Sequence, residues 1–252
     1  MVPRSLLDTA KMPGGGELRL LRRGAEFSIM SGPIELMNSR RSGSEEALAT
    51  MSCVRIRSRP QPRILIGGLG MGFTLRAALA DLGPDARIIV AELVPAVVRW
   101  ARGPMAEIFG GSLADPRVVI HEGDVGNLIA SHPSAHDAIL LDVDNGPEGL
   151  SRKANDGLYD MKGLSAARTA LRPGGVLAVW SSGPNRDFTQ RLCKTGFAVD
   201  EVGVRANGTR GGTRHVLWIA TAPDARHAKQ TRSGNDDGTC VHPLSSNPIV
   251  RD

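Results

Sequence analysis

A glycine-rich turn and three acids are the residues of this sequence with the clearest chemical use. Gly67-Gly68-Leu69-Gly70-Met71-Gly72 follows the apolar run Ile64-Leu65-Ile66 and precedes a helical pattern. In that context a turn without side chains brings the backbone close to a bound cofactor. The spacing Gly68-x-Gly70-x-Gly72 differs from the G-x-G-x-x-G of dinucleotide sites, so the ligand need not carry a pyrophosphate. Glu92 closes the next apolar run, just before Leu93, where its carboxylate can accept hydrogen bonds from both hydroxyls of a ribose. Asp124, in His121-Glu122-Gly123-Asp124-Val125, follows a third run and can meet an adenine amino group, and Asp142 closes a fourth. Ligands of open parallel sheets lie outside the carboxyl ends of the strands. The glycine turn and the three acids therefore converge on one cleft, and Gly67, Gly68, Gly70, Glu92, Leu93, Asp124 and Val125 are assigned to a nucleoside-like cofactor.

After Asp142 comes Val143-Asp144-Asn145-Gly146-Pro147-Glu148-Gly149, an acidic loop long enough to fold over the cleft on Gly146 and Gly149. Each carboxylate near an ammonium contributes about 1–4 kcal/mol at about 4 Å, depending on solvation, so an acidic lid favours an amine-bearing substrate. Asp144 and Asn145 are assigned to it. Tyr159 is a candidate for substrate contact or for packing of the loop. The histidines His121, His132, His136 and His215 share no metal-ligand spacing, and no metal is expected.

These residues require a scaffold, and residues 63–221 provide its pattern. Apolar runs at 63–66, 87–91, 117–120, 137–141 and 175–180 alternate with helical patterns at 74–82, 95–102, 125–131, 161–171 and 186–195. Such βαβ repetition predicts an α/β fold with a Rossmann-like, seven-stranded, mostly parallel sheet covered by helices on both faces. The segments 197–204 and 214–220 predict a hairpin that closes it. Ahead of this domain (59–222), residues 1–16 read as a flexible lead ending in Pro13-Gly14-Gly15-Gly16, and 17–58 as a small β-hairpin followed by a helix that Ser44 can cap. Residues 223–252 are polar and without period, and read as a disordered tail.

The 252 residues have ordinary globular composition, 41% hydrophobic and 23% charged. No apolar stretch approaches the roughly 18 residues that a membrane span needs, and an acid at Asp8 precedes any signal-like run. The net charge of +5 is local: residues 1–63 carry 11 Lys/Arg against 6 Asp/Glu, which leaves 20 against 20 elsewhere. Aromatics make up only 4% of the chain, too few to interleave with the basic residues as base stacking requires, and a nucleic-acid partner is not expected. Cys53, Cys193 and Cys240 are odd in number and far apart, which predicts neither a disulfide framework nor a zinc site and points to a reducing cytoplasm. Cys193 falls in a helical pattern and reads as core.

In its motifs the sequence resembles the class I methyltransferase-like proteins that use S-adenosylmethionine, and within them the spermidine-synthase branch of aminopropyltransferases. The likeness rests on a β-rich N-terminal piece, the Gly-Gly-x-x-x-Gly turn, Ala91-Glu92-Leu93, Glu122-Gly123-Asp124, Leu140-Leu141-Asp142-Val143-Asp144 and Leu171-Arg172-Pro173-Gly174-Gly175-Val176-Leu177, and it covers roughly residues 17–221. The resemblance implies S-adenosylmethionine or its decarboxylated form as co-substrate, and Asp142 as the catalytic carboxylate that holds and deprotonates an amine. It also implies Glu46 as a substrate contact, the only match to a Tyr-His-Glu motif that here reads Ser44-Glu45-Glu46, and a homodimer through the N-terminal β-piece. Two departures stand out. Gly70 occupies the place of an Asp that holds the cofactor's propylamine end in that family, and Ser181-Ser182 replaces a Gln after the fifth strand. Two other readings stay open at this point: methyl transfer to a small molecule, and an adenosyl-ligand-binding protein without catalysis.

Overall fold

A computed structural model describes residues 2–143, 146–147, 156–224 and 240. Two sheets make up the fold. The first is an antiparallel meander of β1 (Ser5–Lys11), β2 (Glu17–Arg23), β3 (Glu26–Ser31) and β4 (Ile34–Asn38), in that order. It corrects one expectation, since residues 5–11 form a strand and not a flexible lead, and it contains the expected N-terminal hairpin within four strands. The register of β1 against β2 shifts between Leu6 and Asp8, and this bulge breaks the period-two pattern by which a strand is recognised. Pro13-Gly14-Gly15-Gly16 forms its turn, with Gly15 N donating to Met12 O at 3.1 Å.

Helix α1 (Gly43–Ile56) then leads into the second sheet, whose strands are β5 (Arg63–Gly67), β6 (Arg87–Glu92), β7 (Val118–Glu122), β8 (His136–Leu141), β9 (Leu171–Ser181), β10 (Ala198–Arg205) and β11 (Arg214–Thr221). Their spatial order is β10-β11-β9-β8-β5-β6-β7. The first five in sequence run parallel, and β11 pairs antiparallel with both β9 and β10, as the predicted closing hairpin requires. Chain order reverses between β5 and β8, the switch point at which open α/β sheets bind ligands. The helices are α2 (Phe73–Asp81), α3 (Pro95–Arg102), α4 (Ala106–Phe109), α5 (Val125–Ser131), α6 (Asp156–Tyr159), α7 (Met161–Ala170) and α8 (Arg186–Lys194). One core face joins Leu20 and Ile29 of the meander to α1, α2 and α3 under the sheet; the other packs α5, α7 and α8 on the opposite side. No helix among the described residues is long and apolar enough to cross a membrane.

Ser42, not Ser44, takes the position before α1, and it makes no side-chain cap. Cys193, packed against the core, is bonded to Cys240 across 47 residues, contrary to the expected absence of disulfides. Nothing periodic in the tail announces this return, in which Val199 N donates to Cys240 O at 3.1 Å. The rest of 225–252, read as a tail, lies outside the described residues. Cys53 is the free cysteine, and burial pushes its thiol up to about 12.

Candidate active site

At the switch point the turn after β5 is tied down on both sides: Gly68 N donates to Ala91 O at 2.8 Å, and Asp142 N donates to Gly67 O at 3.0 Å. Gly68 has φ +91°, and a Cβ there would stand 2.3 Å from Asp142 O, so only glycine allows β5 and β8 to meet the turn this closely. Gly70 (φ +50°) faces the cleft, where a Cβ would find Met37 Sδ as its nearest neighbour at 3.4 Å. Gly67 has a packing role instead: a Cβ would press on Val125 and Leu141 at 3.2 Å, and the residue lines neither chamber described below.

Two chambers open above the sheet. The first, about 710 Å³ including its mouth, is lined by Gly68, Gly70, Glu92, Leu93, Asp124, Val125 and Asp142, with Met12, Leu18, Leu36 and Met37 of the N-terminal meander opposite. Six of the seven residues expected to hold the cofactor therefore share one hollow. Glu92 is buried; its Oε1 accepts from Val94 N at 2.8 Å and its Oε2 from Leu69 N at 3.0 Å. The two backbone donors orient this carboxylate on the wall of the hollow. Asp124 caps α5 by accepting from Gly126 N at 2.7 Å and forms the rim of the same hollow. We expect Glu92→Ala to weaken the binding of an adenosyl ligand by about 1.5–3 kcal/mol, the value of hydrogen bonds to a charged acceptor. Calorimetric titration with methylthioadenosine checks this, and unchanged affinity would remove Glu92 from the cofactor site.

The second chamber, about 560 Å³ including its mouth, shares Leu36, Met37, Gly70 and Asp142 with the first and adds Asn38, Glu45, Leu69, Met71, Phe73 and Trp180. Here the structure departs from the sequence reading. Glu46 is exposed on α1, and Glu45 faces the cleft. The stripe Leu48, Ala49, Ser52, Cys53 and Ile56 is buried; extended back by one turn it passes through Ser44 and Glu45 and misses Glu46, a signal already present in the helical period. Ser44 Oγ donates to Glu45 Oε2 at 2.6 Å and lies 2.9 Å from His215 Nδ1 of β11. Thr74 Oγ1 donates to Asp142 Oδ2 at 2.7 Å. Burial, together with the neighbouring Asp142, raises the Glu45 carboxyl to about 7, and burial raises Asp142 to about 6 against the opposing Thr74 hydrogen bond.

Tyr159 does not reach the chambers. It is buried edge-on against Phe188, ring centroids 5.7 Å apart, with its hydroxyl 3.5 Å from Val143 O, so it packs the core as an aromatic with one polar tip. Asp144, Asn145 and Gly149 lie outside the described residues.

The raised carboxyls carry a stability consequence. Folded-state values above the unfolded ones make the pair stabilising when protonated, fully so below about pH 4, and the contribution is lost as pH rises through 6 to 7. Glu45→Gln should therefore match the parent near pH 4 and exceed it by about 2 kcal/mol at pH 8. Urea unfolding at the two pH values checks this, and an equal difference at both would contradict it.

No family model matches the chain. A polyamine aminopropyltransferase of Korarchaeum cryptofilum is 31% identical over 135 residues, 53% of this chain and 40% of that protein. Polyamine aminopropyltransferase 2 of Pseudomonas aeruginosa is 28% identical over 155 residues, 60% and 42% of the two chains. The chain thus spans about two fifths of the length of these relatives. The spermidine synthase of Thermotoga maritima superposes with a TM-score of 0.68 at 15% identity, covering 91% of this chain and 79% of that one. The chain has the spermidine synthase-like fold. A spermidine synthase bound to the transition-state analogue AdoDATO has the same TM-score at 16% identity. Within this fold the two chambers lie on the carboxyl edge of the sheet, walled by the N-terminal meander.

Proposed function

We propose that the protein is a spermidine synthase-like transferase that moves an aminopropyl group from decarboxylated S-adenosylmethionine to an amine. The observation that carries this reading is the junction of the two chambers at Asp142. One side offers a nucleoside hollow with Glu92 and Asp124 on its wall; the other is a sheltered chamber whose ionisable lining is Glu45 and Asp142. Among the described residues no Lys, Arg or His lines either chamber. A donor that keeps its carboxylate would meet only like charge there, whereas a sulfonium bearing a terminal ammonium meets opposite charge. The relatives named polyamine aminopropyltransferase support the same reaction class.

The chemistry needs little beyond alignment and one proton acceptor. Asp142, oriented by Thr74, takes a proton from the acceptor ammonium. The freed nitrogen lone pair then attacks the propyl carbon bound to the sulfonium. A C–N bond forms, the C–S bond breaks with its electron pair going to sulfur, and methylthioadenosine leaves as a neutral thioether. The new secondary amine departs as an ammonium, so one proton is released per turnover. Incubation with S-adenosylmethionine and with its decarboxylated form, each with a panel of amines, tests this by product mass. Methylthioadenosine with a propylamine-extended acceptor is expected from the decarboxylated donor. S-adenosylhomocysteine would establish methyl transfer instead, and binding without turnover would leave a ligand-binding protein.

A further inference from the structure

A third hollow shares no residue with the two chambers. About 610 Å³ including its mouth, it stands between α2, which supplies Arg76 and Leu79, and the segment from Phe109 to Asp115 that follows α4. Phe109 joins its wall to the glycine turn, where a Cβ on Gly72 would stand 2.4 Å from the ring. Among the described residues the guanidinium of Arg76 makes no ion pair or hydrogen bond, and its Nε is buried without an acceptor. Its central carbon lies 5.0 Å from the centroid of the Phe73 ring; that contact engages the face of the cation and leaves its in-plane N–H groups for an acceptor. The acid on the same wall cannot serve. Asp115 Oδ1 accepts from Arg117 N at 2.9 Å and Arg117 Nε at 3.0 Å, and its Oδ2 accepts from Arg117 Nη2 at 2.9 Å. These bonds hold the Asp115 carboxyl down at about 2, and the pair is neutral as a unit, so the hollow keeps the positive charge of Arg76.

A second, independent feature comes from the facing segment. Ser112 is only 7% exposed and lines the hollow, and its hydroxyl has no partner among the described residues. Orphaned buried polar groups are rare and call for an explanation; here two of them, from separate elements, meet one cavity. Beside Ser112 the backbone is bare: Gly110 (φ +55°) and Gly111 (φ +83°) are left-handed, with open space where a Cβ would stand. The N–H groups of Gly111 and Ser112 donate to no carbonyl among the described residues. A left-handed residue followed by a helical one turns successive N–H groups toward one side, a concavity suited to anions.

We propose that this hollow binds a phosphate-type oxyanion, held by the Arg76 guanidinium, the Ser112 hydroxyl and the backbone N–H groups of Gly111 and Ser112. The donors stand on two sides of the cavity. A carboxylate offers two oxygens in one plane, whereas a phosphate group presents at least three strong acceptors in a tetrahedral array and can meet both sides at once. Leu79 and Phe109 give an apolar surface to whatever carries the phosphate. The site stands apart from aminopropyl transfer, and neither chamber takes part in it.

Calorimetric titration of the full chain at constant ionic strength tests this with inorganic phosphate, phenyl phosphate and acetate. At least one of the two phosphates is expected to bind at least 10-fold more tightly than acetate. The tighter of them tells whether the site takes the free anion or the phosphate group of a larger molecule. Arg76→Gln should weaken that probe at least 10-fold and Ser112→Ala at least 3-fold, as the loss of charge-assisted and neutral hydrogen bonds predicts, with cooperative urea unfolding retained in both. Arg76→Lys, which keeps the charge without the planar fork, should recover part of the loss. Acetate bound as tightly as phosphate overturns the proposal, as does unchanged phosphate affinity in a folded Arg76→Gln variant. If that variant does not fold, unchanged phosphate affinity in Ser112→Ala overturns it equally. Displacement of phosphate by methylthioadenosine would place the anion in the chambers and has the same consequence.

Discussion

Replacing Asp142 by Asn should lower the rate of the chemical step about 10²–10⁴-fold, the usual contribution of a positioned proton acceptor, while affinity for the uncharged methylthioadenosine changes less than about 2-fold. The shapes are nearly the same, and the amide oxygen can still accept the Thr74 hydroxyl now donated to Oδ2. The capacity to take a proton is lost, together with the negative charge, which a neutral nucleoside does not sense. Single-turnover measurement with saturating donor separates this from a binding defect. A variant as fast as the parent would place the proton acceptor elsewhere, and a variant with weakened methylthioadenosine binding would give Asp142 a part in seating the nucleoside.

The second large effect lies at the opposite end of the same strand. Asp137 is 1% exposed and gathers three donors: Arg59 Nη1 at 2.8 Å, Arg63 N at 2.8 Å and Arg172 Nη1 at 3.0 Å. Arg59 also donates to Pro173 O at 2.8 Å. This one carboxylate therefore ties the segment after α1 to the starts of β5 and β9. Removing it leaves a backbone donor and two arginines, themselves 26% and 31% exposed, without their buried acceptor, a loss of about 3 kcal/mol, the low end for a pair broken from one side. Asp137→Ala should thus lower the urea midpoint strongly, yet leave methylthioadenosine affinity unchanged under conditions where the protein stays folded. A loss below about 1 kcal/mol would mean that the two arginines find other partners.

Much of this arrangement is legible in the sequence because the repeat of apolar strand and helix fixes where each strand ends. Glu92, Asp124 and Asp142 all follow apolar runs, and in a parallel sheet such ends share one edge; the structure puts all three on one hollow. What escaped depends on phase or on distance. Choosing Glu46 over Glu45 is a one-residue rotation of about 100° around α1, which the buried stripe resolves but a motif match does not. The bulge in β1 erased its alternation. Asp137 reads only as a strand residue until arginines 78 and 35 positions away are placed against it, and the Ser44–His215 link spans 171 positions. The Cys193–Cys240 bond joins α8 to a segment with no periodic signal.

Catalysis as proposed requires a thioadenosine seated over the glycine turn with its sulfur directed at Asp142. A crystal structure of the protein with methylthioadenosine measures this directly. The expected complex has the ribose hydroxyls on the Glu92 carboxylate, the adenine beside Asp124, and the thioether at the junction with the chamber that contains Glu45. Nucleoside bound elsewhere, or ribose turned away from Glu92, would contradict it.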